Sequence, residues 1–380
     1  MRILHLADTH LGFSAYRKVT ADGVNQRELD VYTVFEEFVD YALEIHPDLV
    51  VHAGDLFDSV RPTNRAITFS LHQLLRLSKA GIPVVVIAGN HEHPKLRETG
   101  HIFCIFDHLD QVYPIYKEHY ETVTIDSQGE SLTVHALPQC NSLQDFNKEL
   151  RQIIPSTEST YNLLLVHGAV TGVKAFSMNE FNELIIPTKM LHADFDYVAL
   201  GHYHRYTKLA EKAYYAGSTE CLTFTDANGQ KGFIDLELHG EHLTVNFKTL
   251  RSRPMIEAAP IPCSHLPLDE IMSKIKQAVQ EVKPKDKTVR ITLEDIPQQV
   301  YRSLDFGEIK KLSSEAIHFE IKATVANEEG TRPLTSSKID ALVNEFERYL
   351  EQLHLEDKET LLKLGIGYIE KIEAQREGSA

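Results

Sequence analysis

Eight side chains of types that bind metal ions follow short apolar runs at separate points of the chain. They are Asp8, His10, Asp55, Asn90, His91, His167, His202 and His204. The last two end the run 199–204, and their i, i+2 spacing places both imidazoles on one side of an extended segment. Taken singly, such an aspartate is usually a helix cap, and such a histidine is usually a satisfied hydrogen-bond partner. Five segments with the same arrangement indicate one shared site.

The ligand types predict a particular chemistry. Carboxylate, imidazole and amide groups without thiolates suit Mn²⁺, Fe²⁺ or Zn²⁺ better than Ca²⁺ or Cu⁺. Seven protein ligands are too many for one catalytic ion, but they suit two ions that share a bridging carboxylate about 3.5–4 Å apart. Such a pair can activate water and clamp the oxygens of a phosphoryl group. The constellation therefore predicts phosphoryl transfer to water.

Apolar runs alternate with amphipathic patterns in the first part of the chain. Runs at 2–7, 48–53 and 84–88 predict buried strands, and stripes at 27–45 and 63–79 predict helices. This alternation favours an α/β fold with a mainly parallel sheet covered by helices. Open sheets of this kind place their sites at the carboxyl ends of the strands, where the candidate ligands occur.

Composition narrows the classes of function. The 380 residues carry a net charge of −16, which argues against binding nucleic acid through a global positive field. A local basic groove or capture of phosphates by metal ions remains compatible with that charge. Four widely separated cysteines form neither a zinc-knuckle pattern nor a disulfide framework. With no apolar run of about 20 residues and no signal peptide, we expect a cytoplasmic protein without a membrane partner.

Five motifs resemble those of calcineurin-like metallophosphoesterases, in the same order. They are Asp8-Thr-His10, Gly54-Asp55, Gly89-Asn90-His91, His167-Gly168 and Gly201-His202-Tyr-His204. Within that superfamily the chain resembles the SbcD-type DNA repair nucleases, the nuclease subunits of SbcC–SbcD complexes, and their archaeal and eukaryotic counterparts. Further matching stretches include Asp22-Gly-Val-Asn and His52-Ala-Gly-Asp-Leu-Phe-Asp58. The resemblance covers about residues 1–240.

The resemblance implies a domain organisation. Residues 1–252 would form a four-layer α/β/β/α metallophosphoesterase sandwich with the nuclease site. Residues 253–326 would form a small α+β capping domain that positions DNA. After a linker at 327–335, a helix-loop-helix at 336–377 would bind an SbcC-like ATPase of the ABC/SMC type.

The resemblance also implies roles for the site residues. Asp8, His10 and His204 would bind a first divalent ion, and Asp55 would bridge to a second ion held by Asn90, His167 and His202. Manganese is the expected metal. His91 would face the phosphate as a catalytic residue, stabilising charge or protonating the leaving oxygen. Asp58 would orient His91.

Glu92 is a departure, because the family motif usually ends in aspartate at that position. A Gly-Asn-His-Glu ending also occurs in the related serine/threonine phosphatases, but the Asp-Arg-Gly that accompanies it there is missing at Asp58-Ser-Val-Arg61. We predict that Glu92 changes the hydrogen bonds around Asn90 and His91.

Contacts with partners are predicted less directly. The basic residues near the motifs are possible contacts to DNA phosphates, with solvated surface charge as an equal alternative. These are Arg61, Arg65, Lys95, Arg97 and Arg205. Apolar positions in helices predicted near 63–79 and 97–109 suggest a homodimer, with ordinary core packing as the alternative.

The predicted function is a dinuclear-metal DNA nuclease, a double-strand exonuclease and a single-strand and hairpin endonuclease. It would act on DNA ends with an SbcC-like ATPase in double-strand-break repair, associated with the nucleoid. One alternative is a phosphomonoesterase or small-nucleotide phosphodiesterase on the same metal core. Another is a binding module with a vestigial metal site, which the intact ligand set argues against.

Overall fold

The computed structural model describes residues 1–96, 99–171, 184–325 and 361–366. The predicted linker at 327–335 lies outside the described residues. So does the predicted helix pair at 336–377, apart from 361–366, which are helical. Among the described residues, no helix combines the length and hydropathy that a bilayer span requires.

Eighteen strands and six α-helices are described besides the helical residues 361–366. The strands are β1 (Arg2–Leu6), β2 (Leu49–His52), β3 (Val84–Ile87), β4 (Val112–Ile115), β5 (Glu121–Ser127), β6 (Glu130–Leu137), β7 (Tyr161–His167), β8 (Ala169–Val170), β9 (Ile185–Ile186), β10 (Tyr197–Gly201), β11 (Thr207–Ala210), β12 (Ala213–Tyr215), β13 (Gly232–His239), β14 (His242–Thr249), β15 (Met255–Glu257), β16 (Ile261–Pro262), β17 (Thr288–Ile296) and β18 (His318–Val325). The helices are α1 (Gln26–Ile45), α2 (Asn64–Lys79), α3 (Leu143–Leu150), α4 (Leu268–Val282), α5 (Gln298–Arg302) and α6 (Phe306–Leu312). Short 3₁₀ helices cover Ile102–Phe106, Thr188–His192 and Phe224–Asp226.

Two six-stranded sheets form the centre of the molecule. The first has the order β14-β13-β1-β2-β3-β4, and the second has the order β11-β12-β10-β7-β6-β5. In the first sheet β1 to β4 are parallel, as the βα alternation predicts, and β13 joins β1 antiparallel. The sheet is therefore mixed, because the chain returns to its edge through the hairpin β13–β14.

Three apolar clusters separate four layers. One lies between the sheets and includes Val51 and Val85 from the first sheet and Leu163 and Ala199 from the second. A second cluster packs α1 and α2 on the outer face of the first sheet, and a third packs α3 on the outer face of the second. Neighbouring strand residues alternate between these clusters, as the period of a strand requires. The predicted α/β fold with two large sheets is confirmed.

A third sheet follows the two large ones along the chain. Strands β15 and β16 both pair with one edge of β17, and β18 pairs with the other, all in parallel. Helix α4 connects β16 to β17, and its apolar side packs with Ile275 and Val279 against Ile291 of the sheet. This sheet therefore has a core of its own.

The helices α1 and α2 begin close to their predicted first residues, whereas the helix predicted near residue 100 is much shorter than expected. The side chains of Asn25 and Thr63 cap α1 and α2 by accepting backbone N–H groups. In contrast, within the described part of 97–109 only Ile102–Phe106 is helical, as a single 3₁₀ turn. The longer helix predicted there is wrong for the described residues. Phe103 and Phe106 both pack inward against Phe57, so this segment exposes no continuous apolar face among its described residues.

Candidate metal centre

The sequence-predicted ligands meet where the carboxyl ends of five strands adjoin. Asp8 and His10 follow β1, Asp55 follows β2, and Asn90 follows β3. His167 ends β7 and His202 follows β10, so the second sheet contributes the remaining side chains. The imidazole of His167 donates to the carbonyl of Ala53 at 2.7 Å, which joins the edges of the two sheets at the site.

The backbone is strained at this edge. Asp8, His10, Asp55 and His202 all have positive φ angles, of 51°, 46°, 55° and 110°. Non-glycine residues rarely adopt such angles, and each costs about 1–3 kcal/mol unless its surroundings impose it. The carboxylate of Asp8 accepts the backbone N–H of His202 at 3.0 Å, and the N–H of Asp8 bonds to Gly54. A cluster of strained residues held in this way is typical of a functional site.

Glycines let the strands approach each other beside the ligands. A Cβ at Gly201 would lie 2.0 Å from the carbonyl oxygen of Ala53, and one at Gly89 would lie 2.2 Å from a carboxylate oxygen of Asp55. Both neighbours belong to the turn after β2, so they cannot move away freely. The Gly-His and Gly-Asn motifs therefore have a steric requirement for glycine here.

His167 has a geometry that fits a cation. A carbonyl only accepts, so Nδ1 of His167 carries its proton toward Ala53, and Nε2 is the ring nitrogen that faces the other candidate ligands. That Nε2 lies 2.9 Å from Oδ1 of Asn90 and 3.2 Å from Oδ2 of Asp55. Burial opposes the charged ring, but the carboxylates of Asp55 and Asp8 outweigh it and raise the pKa of His167 to about 10. The position therefore attracts positive charge.

His10 and His204 lie on the other side of the same site. Ligand atoms of Asp8, His10 and His204 fall within 4.8 Å of one another. Nε2 of His10 is buried and has no hydrogen-bond partner among the described residues, which is costly for a buried nitrogen. Burial lowers the pKa of His10, which keeps its imidazole neutral, as a ligand must be. The orphaned nitrogen fits a metal ion.

Asp55 stands between these two groups. It shares one possible metal group with Asp8 and His167 and another with His10 and His91. Burial opposes its charge, but the neighbouring histidines, His167 first, hold the pKa of Asp55 well below its usual range. A carboxylate that stays ionised between two ligand groups fits a bridging role.

His91 and Asp58 are arranged differently from the expectation. The carboxylate of Asp58 lies 3.2 Å from Nδ1 of His10 and 4.0 Å from Nδ1 of His91. Nδ1 of His91 instead lies 3.2 Å from the backbone carbonyl of Asp58, to which it can only donate. The carboxylate of Asp58 is therefore closer to His10 than to His91. The rings of these two histidines meet edge to face, with their centres 4.5 Å apart. Asp58 thus contacts both histidines, through different groups.

Glu92 is completely buried, and its carboxyl group accepts hydrogen bonds from the backbone. One of its carboxyl oxygens accepts the N–H of Gly89 at 2.7 Å and that of Asp55 at 3.1 Å. Burial and the charge of Asp55 raise the pKa of Glu92 to about 8. Glu92 therefore contacts the turns that carry Asp55 and Gly89. The change that we predict in the hydrogen bonds around Asn90 and His91 would act through these turns.

We predict that Glu92→Gln is tolerated and Glu92→Ala is not. The amide oxygen of glutamine can accept both N–H groups, so the free energy of unfolding should change by less than about 1 kcal/mol. Alanine leaves two buried donors without an acceptor, at about 1–3 kcal/mol each. Urea unfolding of the two variants measures the difference. Equal losses would mean that the charge of Glu92, and not its acceptor oxygen, is what matters.

Sequence reasoning missed two buried residues beside His204. Asp226 has a carboxylate oxygen 3.6 Å from Nδ1 of His204, and Lys231 donates to the His204 carbonyl at 2.6 Å. Burial opposes a charged His204, but the Asp226 carboxylate outweighs it and raises the pKa of His204. The local pattern Thr223-Phe-Thr-Asp226 reads only as a turn cap, so no sequence signal marks this contact.

The basic residues predicted to contact DNA differ in solvent exposure and in their ion pairs. Arg61, Lys95 and Arg205 are exposed, and Lys95 lines a cleft of about 210 Å³ together with Asn90 and His91. Arg65 is half exposed, and its guanidinium pairs with Glu28 at 3.2 Å. Arg97 lies outside the described residues.

Comparison with known proteins assigns the family. Residues 1–206 match the calcineurin-like phosphoesterase family. A protein named DNA double-strand break repair protein Mre11 from Methanococcus maripaludis is 27% identical, over 91% of this chain and 90% of that protein. Proteins of the same name from Thermoplasma acidophilum and Sulfurisphaera tokodaii are 29% and 33% identical, covering 74% and 53% of this chain and 74% and 49% of their own.

Because the family match spans more than half of the chain, the chain belongs to the calcineurin-like phosphoesterases. Enzymes of this family hydrolyse phosphate esters at a dinuclear metal centre, and the ligand groups described above have the donors for one. The predicted resemblance to this superfamily is confirmed.

Proposed function

We propose that this protein is a DNA nuclease that hydrolyses phosphodiester bonds at a dinuclear metal centre. The observation that carries the proposal is the convergence of buried carboxylate and imidazole ligands around Asp55, where the carboxyl ends of strands from the two sheets adjoin. DNA as the substrate is supported by the relatives named DNA double-strand break repair protein Mre11. We propose both double-strand exonuclease and single-strand or hairpin endonuclease activity, at DNA ends.

The ligands divide into two groups in this proposal. Asp8, His10 and His204 would hold one ion, Asn90, His167 and His202 would hold the other, and Asp55 would be shared between them. Two divalent ions in such a site supply a nucleophilic water at neutral pH and neutralise charge on the phosphoryl oxygens. Manganese is the ion we propose, because carboxylate, imidazole and amide donors suit it.

His91 is the proposed catalytic residue that touches the substrate. Donation from its Nδ1 to the Asp58 carbonyl fixes the ring, and its backbone N–H is held by Asp55 at 2.9 Å. The ring is about one-third exposed, so a phosphodiester can reach it. A histidine held in this way can stabilise negative charge or protonate the leaving oxygen. Asp58 acts as a positioning residue, through its carbonyl on His91 and its carboxylate on His10.

DNA would be held locally, since the net charge of −16 repels it at a distance. Arg61, Lys95 and Arg205 are exposed near the motif loops and are proposed phosphate contacts. Arg65 and Arg97, the latter outside the described residues, belong to the same proposal. We propose that residues 253–326 cap the site and help to position DNA. Tyr16 supports this proposal, because the loop after His10 carries its ring to stack on His318 of β18 at 3.8 Å.

Two protein partners belong to the proposal. An SbcC-like ATPase of the ABC/SMC type would bind residues 336–377. A second copy of the chain would pack on α2, where Ile67, Leu71 and Leu75 form a half-buried stripe at helical spacing. The described part of 97–109 would contribute little, since its phenylalanines face the core. The proposed place of action is the cytoplasm, at the nucleoid.

Cleavage of end-labelled duplex and hairpin DNA in Mn²⁺, Fe²⁺, Zn²⁺ and Mg²⁺ tests the proposal. We expect cleavage with Mn²⁺, its loss with chelator, and stimulation by the ATPase partner. A nitrophenyl phosphate monoester assayed in parallel is the matched control for substrate class. Monoester hydrolysis without DNA cleavage would favour the phosphomonoesterase, and metal binding without either activity would favour a binding module.

A further inference from the structure

The 3₁₀ turn Phe224–Asp226 lies against His204 with a buried carboxylate. The Asp226 side chain is about 5% exposed. One oxygen accepts the backbone N–H groups of Leu222 and Thr223 at 3.1 and 3.0 Å. The same oxygen lies 3.6 Å from Nδ1 of His204, slightly beyond hydrogen-bonding distance. The backbone bonds hold the carboxylate in place whether or not the histidine moves.

Lys231, the residue before β13, contacts both the backbone of His204 and the side chain of Asp226. Its buried ammonium donates to the His204 carbonyl at 2.6 Å, to Ser218 at 2.8 Å and to the second oxygen of Asp226 at 2.9 Å. An ammonium has three donors, so this set uses all of them. The ammonium of Lys231 thus donates hydrogen bonds both to the backbone of His204 and to the carboxylate that faces its ring.

The opposite side of the same turn packs on the third sheet. The guanidinium of Arg290, on β17, lies 3.9 Å from the ring centre of Phe224. Cys221, Phe224 and Met255 form a small buried apolar cluster, and the N–H of Asn228 bonds to the Met255 carbonyl at 3.1 Å. Met255 is the first residue of β15. The turn therefore contacts the third sheet on one side and His204 on the other.

We propose that Asp226 is a positioning residue for His204, and that the turn 223–229 couples the third sheet to the metal group containing Asp8, His10 and His204. A carboxylate on one ring nitrogen of a metal-binding histidine sets the orientation and basicity of the other nitrogen. The arrangement rests on the proposed function, since it presumes that His204 is a ligand. It makes one of the two metal positions sensitive to where the third sheet lies.

Calorimetric titration of the full-length protein with Mn²⁺ tests the proposal without reference to cleavage. His204→Ala first identifies the binding step that depends on His204. We expect Asp226→Asn to weaken that same step about ten- to a hundredfold and to leave the other step within about twofold. Equal weakening of both steps, or no change in either, would overturn the positioning role. An unaltered protein that binds no Mn²⁺ would overturn the proposed function itself, which is a distinguishable result.

Two matched pairs separate positioning from general destabilisation. Asp235→Asn removes a similarly buried carboxylate that pairs with Arg2 at the other end of β1, and it should leave both steps unchanged. Arg290→Gln should weaken the His204 step by about two- to fivefold through loss of the contact with Phe224. Glu320→Gln breaks one of the two ion pairs of Arg290 and leaves the pair with Glu257, which keeps the guanidinium over the ring, so that variant should bind as the unaltered protein does. An Arg290→Gln protein with normal Mn²⁺ binding would overturn the coupling to the third sheet.

Discussion

Replacing His91 with asparagine should lower DNA cleavage by a factor of about 10²–10⁴ while both metal ions remain bound. Asparagine has no proton to exchange near neutral pH, whereas an imidazole does. The backbone N–H of residue 91, which donates to Asp55 at 2.9 Å, is unchanged by the substitution. The ring is partly exposed, so its loss leaves no sealed cavity. The effect should therefore fall on the chemical step.

Single-turnover cleavage of labelled duplex DNA and calorimetric Mn²⁺ titration measure the two halves of this prediction. His108→Asn, at an exposed histidine after the 3₁₀ turn 102–106, is the control and should cleave normally. His91 also falls within one possible metal group with His10 and Asp55. Loss of an ion from the His91→Asn protein would make His91 a ligand, and normal cleavage with bound metal would remove it from the reaction.

Asp30→Ala should reduce the free energy of unfolding by about 3–5 kcal/mol, because it removes one carboxylate from a buried ion-pair network and leaves Arg27 with Glu220 as its acidic partner. Asp30, on α1, accepts from Arg27 at 2.7 Å and from two nitrogens of Arg253 at 2.6 and 2.5 Å. Arg27 is fully buried, and Arg253 lies two residues before β15. Its guanidinium also donates to the Asp286 carbonyl beside the third sheet. The carboxylate therefore joins α1, on the outer face of the first sheet, to the chain that enters the third sheet.

Urea unfolding compares this variant with Asp40→Ala on the same helix. Asp40 is about 59% exposed and pairs with Arg76, which is also partly exposed, so its loss should cost less than about 1 kcal/mol. Similar midpoints for the two variants would show that burial adds nothing to the role of Asp30. The Arg27→Met protein should also be destabilised, since it leaves Glu220 buried with one contact fewer.

The ligand types and the strands that carry them follow from the local sequence pattern. The apolar runs before Asp8, Asp55 and His167 form β1, β2 and β7, and the helices at 27–45 and 63–79 begin within a residue of their predicted starts. These features are local, because a strand or helix repeats its apolar residues at short spacing. A ligand placed after a parallel strand must lie at the carboxyl edge of its own sheet, and the two sheets bring these edges together. The site could therefore be located before any contact was known.

Which groups meet where the two sheets adjoin depends on folding as a whole. The Asp58 carboxylate turns to His10, and Glu92 reaches the N–H of Asp55, 37 positions away in sequence. Asp226 and Lys231 contact His204 from a turn and from the residue before β13, and neither segment carries a metal-site motif. Such contacts join residues distant in sequence, and their partners depend on the packing of two sheets and not on any periodic pattern. Residue types along a strand predict the chemistry, whereas the orientation of each side chain is set by neighbours that the chain brings together only on folding.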